Sequence, residues 1–355
     1  MTPPEILARF HLSADETARE LSGSLAADQR FPIASVSKTL TALLAARLCA
    51  DGVVGWTEPL RALLGHTAAV PFELRPSHWT STGLTEDELA AAVASPPRLA
   101  LPPGTVHYSN LGYGLAAALL ERATGRRYPE LLAEHVLHPL GLTRTSLPDE
   151  RAEGRPALGA AAPAGDLWST LDDLMTLARA LDGHRPDVVD PTMLELLLGT
   201  STPNGQGSQL AAGLRTFFVD PHRVLVSSGT IRGRTTCVTV WPRRGASVVV
   251  AEAGYSHDDL RDEAVRRWSR DDARRSWWWD AQEVVELRHG DRVELVLRET
   301  TWPYPVFAGR AEGRRLAGLD WAGRPVELRS TDDGDELTGP GLRLTAAAND
   351  SAYRP

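Results

Sequence analysis

Phe31-Pro32-Ile33-Ala34-Ser35-Val36-Ser37-Lys38, running directly into Thr39-Leu40-Thr41-Ala42-Leu43-Leu44, sets the reading of the whole chain. Ser35 and Lys38 stand three residues apart at the mouth of an apolar helix, and positions i and i+3 are neighbours on a helix face. A helix opening near Ser35 places that residue's N–H among the unpaired donors of the first turn, at the positive end of the helix dipole. A hydroxyl, an amine and an anion-stabilising donor then share one turn. Of 38 Lys plus Arg residues, only Lys38 is a lysine. Arginine keeps its proton in a protein, whereas a desolvated lysine can release it. Ser-x-x-Lys is a common tetrapeptide and chance can produce it. The absence of lysine everywhere else favours chemistry.

The totals bound the rest. A chain of 355 residues suggests two domains, or one large domain with an appendage. The 42% hydrophobic and 24% charged content is that of an ordinary globular protein. A net charge of −8 gives no electrostatic reason to expect nucleic acid or an anionic membrane as partner. Cys49 and Cys237 make neither a disulfide framework nor a metal spacing, which fits a reducing compartment. The start, Met1-Thr2-Pro3-Pro4-Glu5, lacks the pattern of a signal peptide, and no apolar run is long enough to span a bilayer. The expectation is a cytoplasmic enzyme or binding protein.

Along the chain, the first helix is expected to end at Gly52, and residues 1–30 show no convincing pair of apolar strands. Leu101-Pro102-Pro103-Gly104-Thr105-Val106-His107-Tyr108-Ser109-Asn110 excludes regular structure at its start, so Tyr108, Ser109 and Asn110 lie on or beside a loop. Helices follow through Leu115–Leu120 to a stop at Gly125, and from Tyr128 to about Leu137. Thr170 before Leu171-Asp172-Asp173-Leu174 has the look of a helix cap. Strand-like runs then flank Ser227-Ser228-Gly229-Thr230, and a helix over Asp258–Trp268 closes this part. Three regions are expected: a large domain over 1–270, a linker over 271–280, and a small antiparallel β domain of five or six strands over 281–355. The Trp277-Trp278-Trp279 cluster reads as packing between domains, with a hydrophobic acyl pocket as the alternative.

Taken together, Ser35-x-x-Lys38, Tyr108-Ser109-Asn110, Leu63-Leu64-Gly65-His66-Thr67, Asn110-Leu111-Gly112-Tyr113-Gly114 and Pro139-Leu140-Gly141-Leu142 resemble the serine β-lactamase and DD-peptidase superfamily, in its class C (peptidase S12) branch. The likeness runs from about residue 30 to 268, in the expected order. It implies an α+β fold, an α/β sandwich in which an antiparallel sheet is flanked by helices and accompanied by an all-helical lobe. It also implies Ser35 as acylated nucleophile, with Lys38 and Tyr108 sharing the proton transfers and Asn110 orienting Lys38 and the substrate. The N–H groups of Ser35 and Thr230 would form the oxyanion hole. Ser227, Ser228 and Gly229 would touch substrate.

The third motif departs from the family pattern, because Ser227 stands where Lys or His is usual. Arg232 or Arg234 is expected to supply the missing charge. Ser37 and Ser109 read as structural, since neither has lysine three residues on, and His66 reads as a loop-packing histidine. Glu134-His135 with His138 lacks a metal-binding arrangement, so no metal and no cofactor are expected. The expected activity is hydrolysis or transfer of an ester, thioester or amide acyl group, from a small molecule or a carrier-bound chain. The alternatives are a binding or regulatory protein that has lost catalysis, and a DD-carboxypeptidase or β-lactamase proper.

Overall fold

The computed structural model describes the chain except residues 1–5, 14–16, 22–24, 27, 75–82, 103, 152, 154–157, 205–207, 220–221, 242–244, 253, 269–272, 280–281, 290–291, 298–304, 321–324, 333, 341 and 347–355. Pro103 of the tyrosine loop therefore lies outside the described residues. Two compact units divide the chain: one over 1–204, 209–216 and 225–264, the other over 205–208, 217–224 and 265–355.

The first unit is a sheet packed against helices. Its principal elements, in order, are β1 (Ile6–Ser13), β2 (Thr17–Leu21), α1 (Ser37–Ala50), α2 (Asn110–Thr124), α3 (Leu171–Leu181), β3 (Leu214–Val219), β4 (His222–Ile231), β5 (Arg234–Trp241), β6 (Gly245–Glu252) and α4 (His257–Trp268), of which the end of β3, the start of β4 and the end of α4 count with the second unit. The sheet runs β2-β1-β6-β5-β4-β3 and is completed by the short strands Gln209–Ala211 and Thr202–Pro203. β1 and β6 pair antiparallel, with Phe10 opposite Val248.

β1 and β2 supply the pair that the sequence does not show. β1 buries Leu7, Ala8 and His11, and an apolar alternation broken by a histidine is hard to read. β2 is an edge strand with a mostly exposed, polar sequence, Thr17-Ala18-Arg19-Glu20-Leu21. Charged residues keep such an edge from pairing with other chains, and they also erase the hydrophobic signal.

Helix α1 is buried almost all round, from Ser37 through Ala46 and again at Leu48. A helix apolar on every face belongs in the middle of a protein. It begins two residues later than the sequence suggests, because Ser35 sits in a single 3₁₀ turn, Ala34–Val36, that leads into it. Gly52, at φ +71°, lies just beyond its end. Ser109 caps α2 by accepting from the Gly112 N–H at 2.8 Å, and Gly125 closes it at φ +70°. Thr170 caps α3 by accepting from the Asp173 N–H at 3.2 Å. The helix begun at Tyr128 continues through a π turn, Ala133–Leu137, to Gly141.

The second unit contains a closed eight-stranded barrel, running from Ala273–Trp279 to Leu342–Ala346. The stretch read as a linker over 271–280 thus holds the barrel's first strand, and the barrel has more strands than the five or six expected. Strands bounded by Gly and Asp turns are short enough to escape a count from alternation alone. Trp277 is buried in the barrel's own core with Val284, Leu295, Phe307 and Leu328, which corrects the reading of this tryptophan as packing between domains. Its indole N–H donates to Glu286 Oε2 at 2.7 Å. The side chains of Trp278 and Trp279 lie outside the described residues. Among the described residues, no helix is long and apolar enough to cross a membrane.

Candidate active site

The turn that carries Ser35 is fixed from several sides. Ile33 N–H donates to Leu167 O at 3.0 Å, where Phe31–Pro32 pairs with Trp168–Ser169. Ala34 adopts φ +49°, a left-handed conformation that costs an alanine roughly 1–2 kcal/mol. Ser37 stabilises it: its hydroxyl donates to Ala34 O at 2.7 Å and accepts from Leu167 N–H at 3.1 Å. β4 then closes over the turn. A Cβ on Gly229 would stand 2.4 Å from Ser35 N, so only glycine lets the strand backbone approach Ser35 this closely. On the other side, a Cβ on Gly213 would stand 2.7 Å from Lys38 O.

Lys38 is 2% exposed. Its Nζ lies 3.1 Å from Ser35 Oγ, 2.7 Å from Asn110 Oδ1 and 2.7 Å from Ala164 O. The geometry separates these contacts by role. Asn110 Oδ1 and Ala164 O can only accept, so they hold two of the amine's protons. The third direction points at Ser35, whose hydroxyl can donate or accept. A neutral Lys38 therefore aims its lone pair at the Ser35 proton. Burial lowers the Lys38 pKa below its ordinary 10.5, opposed in part by Tyr108, Glu73 and Asp166. The Nζ also sits 4.7 Å from the Tyr108 ring centroid and 5.4 Å from that of Tyr113, contacts that favour the charged form. Burial and these contacts thus pull the Lys38 amine in opposite directions, burial winning.

Tyr108 lines the same cavity as Ser35 and Lys38. Its ring stacks on His66 at 4.3 Å between centroids. His66 is 3% exposed, at φ +62°, and its Nδ1 accepts the Ser109 N–H at 3.1 Å. Burial, then the Lys38 charge and His107, push its pKa down to about 3, so it is neutral and takes no proton from the site. His66 packs in its loop as the sequence suggests, and the surface it packs on is the face of Tyr108. Asn110 Nδ2 donates to Glu73 Oε1 at 2.9 Å, which fixes the amide so that its oxygen faces Lys38. Glu73 and the Ala164 carbonyl carry no sequence signal, because tertiary packing brings the first from a loop and the second from the 3₁₀ turn Ala162–Ala164.

The third motif lies on β4. Thr39 Oγ1 donates to Gly213 O, so the 2.6 Å contact between Thr39 and Ser227 is completed by the Ser227 proton. Ser227 is accordingly a strut between sheet and α1, as well as part of the cavity wall. Ser228 lines the cavity beside it. Thr230 follows, its Oγ1 2.8 Å from Thr235 Oγ1 and 2.9 Å from His257 Nε2. Arg232 is at the tip of the β4–β5 hairpin with φ +50°, donating to Glu153 O at 2.7 Å and lying over the Trp168 ring. It does not line the cavity, and neither does Arg234. Arg215 of β3 does, a residue the sequence reading passes over. The cavity is small, about 50 Å³. Among the described residues, no group of His, Cys, Asp and Glu is arranged to hold a metal ion.

The family model described as Beta-lactamase matches residues 10–271. A D-aminopeptidase of Cereibacter sphaeroides is 24% identical over 271 residues, covering 67% of this chain and 51% of its own. The chain spans between about a third and about half the length of the first curated relatives it matches. Among solved structures, an octameric penicillin-binding protein homologue from Pyrococcus abyssi is similar with a TM-score of 0.63 and 17% identity, covering 95% of both chains. The D-amino acid amidase from Ochrobactrum anthropi SV3 gives a TM-score of 0.61 and 24% identity, covering 73% of this chain and 93% of its own. By the match over most of its length, with the fold in agreement, the chain belongs to the beta-lactamase family.

Proposed function

We propose that the chain is an acyl-serine hydrolase of the class C type, acting on an amide or ester bond of a small molecule or of a carrier-bound acyl chain. Ser35 Oγ attacks the carbonyl carbon while its proton passes to Lys38 Nζ. The C–N or C–O bond then breaks, and the leaving group departs with a proton delivered through Lys38 and Tyr108. Water, deprotonated by the same pair, adds to the acyl-serine carbonyl, and loss of Ser35 Oγ returns the free enzyme. Another nucleophile in place of water would make the reaction a transfer. The developing oxyanion is assigned to the N–H groups of Ser35 and Thr230. In the enzyme where one such donor was measured, it was worth about 3–4 kcal/mol.

The observation that carries this reading is the Lys38 amine, buried, with two fixed acceptors and its third direction on Ser35 Oγ. Similarity to a D-aminopeptidase and to a D-amino acid amidase supports amides as substrates. A fluorophosphonate probe followed by intact-protein mass tests it: one adduct on wild type, none on Ser35→Ala. No adduct on either protein would instead support the second reading, a binding protein without catalysis. That reading is favoured by the absence of a cation at Ser227.

A further inference from the structure

His66 lines the cavity beside Tyr108, and its ring is held there from several directions. The His66 carbonyl accepts from the His107 N–H at 2.8 Å, and its Nδ1 accepts from the Ser109 N–H at 3.1 Å. The rings of Tyr108 and Tyr113 pack on it at 4.3 and 5.3 Å between centroids. Burial keeps the imidazole neutral, with its pKa down at about 3. A neutral imidazole has one donor and one acceptor nitrogen, so with Nδ1 accepting, the proton sits on Nε2. Among the described residues nothing accepts from that Nε2–H, and the nitrogen is not sealed inside the protein. The open side of this buried residue is therefore the cavity. A donor held there without a partner in the fold is a bond left to be made, since buried polar groups are otherwise paired.

We propose that His66 is a substrate-contacting residue: its Nε2–H donates to an uncharged acceptor oxygen, of an ether, hydroxyl or carbonyl, carried by the leaving group. The side follows from Tyr108, which passes the proton to the leaving group and against whose ring His66 is stacked. An imidazole fixed in this tautomer only donates at Nε2, so it selects an acceptor and turns away an ammonium. The stacking and the bond at Nδ1 set the donor before substrate arrives, and a preorganised group loses little freedom on binding. This assignment rests on the acyl-serine reading for the choice of the leaving-group side, and on the hydrogen bonds of the ring for the donor itself.

The test compares 2-methoxyethyl acetate with butyl acetate, whose leaving groups differ by an ether oxygen in place of a methylene. Each kcat/KM is divided by the ester's rate with hydroxide, which removes the difference in intrinsic reactivity. Wild type should favour the ether by about twofold to tenfold, the worth of one neutral hydrogen bond. His66→Asn should bring that ratio to one. Asparagine tolerates the φ of +62° and places its amide oxygen near the Nδ1 position, so the Ser109 N–H keeps an acceptor. His66→Gln, whose amide N–H reaches toward the Nε2 position, should retain part of the preference. A ratio near one in wild type, or an unchanged ratio in His66→Asn, overturns the assignment. If neither ester turns over, the acyl-serine reading fails for these esters and the ring itself decides. In ¹⁵N-labelled Ser35→Ala protein, the His66 signal is the one of ten histidines lost on adding His66→Asn. It should show the proton on Nε2, and 2-methoxyethanol should shift it where butanol does not. A proton on Nδ1, or no response to 2-methoxyethanol, overturns the role of His66 whatever Ser35 does.

Discussion

Gly229→Ala tests the site at its tightest point. The new Cβ would stand 2.4 Å from Ser35 N, 2.8 Å from Ala34 Cβ and 3.0 Å from Ser35 Cβ. Ordinary contact begins near 3.4 Å, and two of the three opposing atoms belong to Ser35 itself. Either β4 or the Ala34–Val36 turn must retreat by about 1 Å, and a displacement of that size at a reacting group costs about a hundredfold in rate. Overpacking of this kind destabilises by about 1–3 kcal/mol. In a domain this large, each kcal/mol lowers the Tm by about 2–4 °C. The assay is the second-order rate of Ser35 labelling by a fluorophosphonate, with near-UV circular dichroism to show that the variant is folded and a thermal melt for its stability. Labelling should slow by about two orders of magnitude in a folded protein with a Tm lower by several degrees. Wild-type labelling in the folded variant would show that β4 does not press on the nucleophile, and the geometry of the site would have to be redrawn.

Lys38, as the chain's single lysine, offers one reductively methylated ¹³C resonance besides the N-terminus, and its titration should fall below 10.5. kcat/KM should rise with pH through the same transition, and Asn110→Asp, by adding a carboxylate 2.7 Å away, should move both upward. An unshifted resonance would remove Lys38 as base. Because the folded-state pKa is lowered, the unfolded chain binds more protons between that pKa and 10.5, so stability should climb with pH across this window. Lys38→Met should flatten that slope. His66→Phe keeps a ring against Tyr108 but deprives the buried Ser109 N–H of its acceptor; a loss of about 1–3 kcal/mol in denaturant unfolding is expected. An unchanged midpoint would assign the histidine to stacking alone. Trp277→Phe removes the bond to Glu286 inside the barrel, which should cost about 1–3 kcal/mol there without changing Ser35 labelling. Slower labelling would tie the barrel to catalysis.

The sequence by itself determined which residues make up the candidate site, because its parts are local or nearly so. Ser35 and Lys38 are one helical turn apart, Tyr108 and Asn110 are two residues apart, and the lone lysine marks its own position. The helices around them were legible for the same reason, since a cap such as Thr170 and a stop such as Gly125 act within a few residues. Long-range pairing decided the remainder. β1 and β2 are strands because β6 is there to pair with, and Ala273–Trp279 is a strand because a barrel closes on it. Glu73, Ala164 and His66 matter through contacts with residues 37 to 126 positions away along the chain, a relation that no local pattern encodes. Arg232 shows the same limit in reverse. Next to the motif in sequence, it is carried by the hairpin's left-handed turn toward Glu153 and Trp168, and it does not line the cavity.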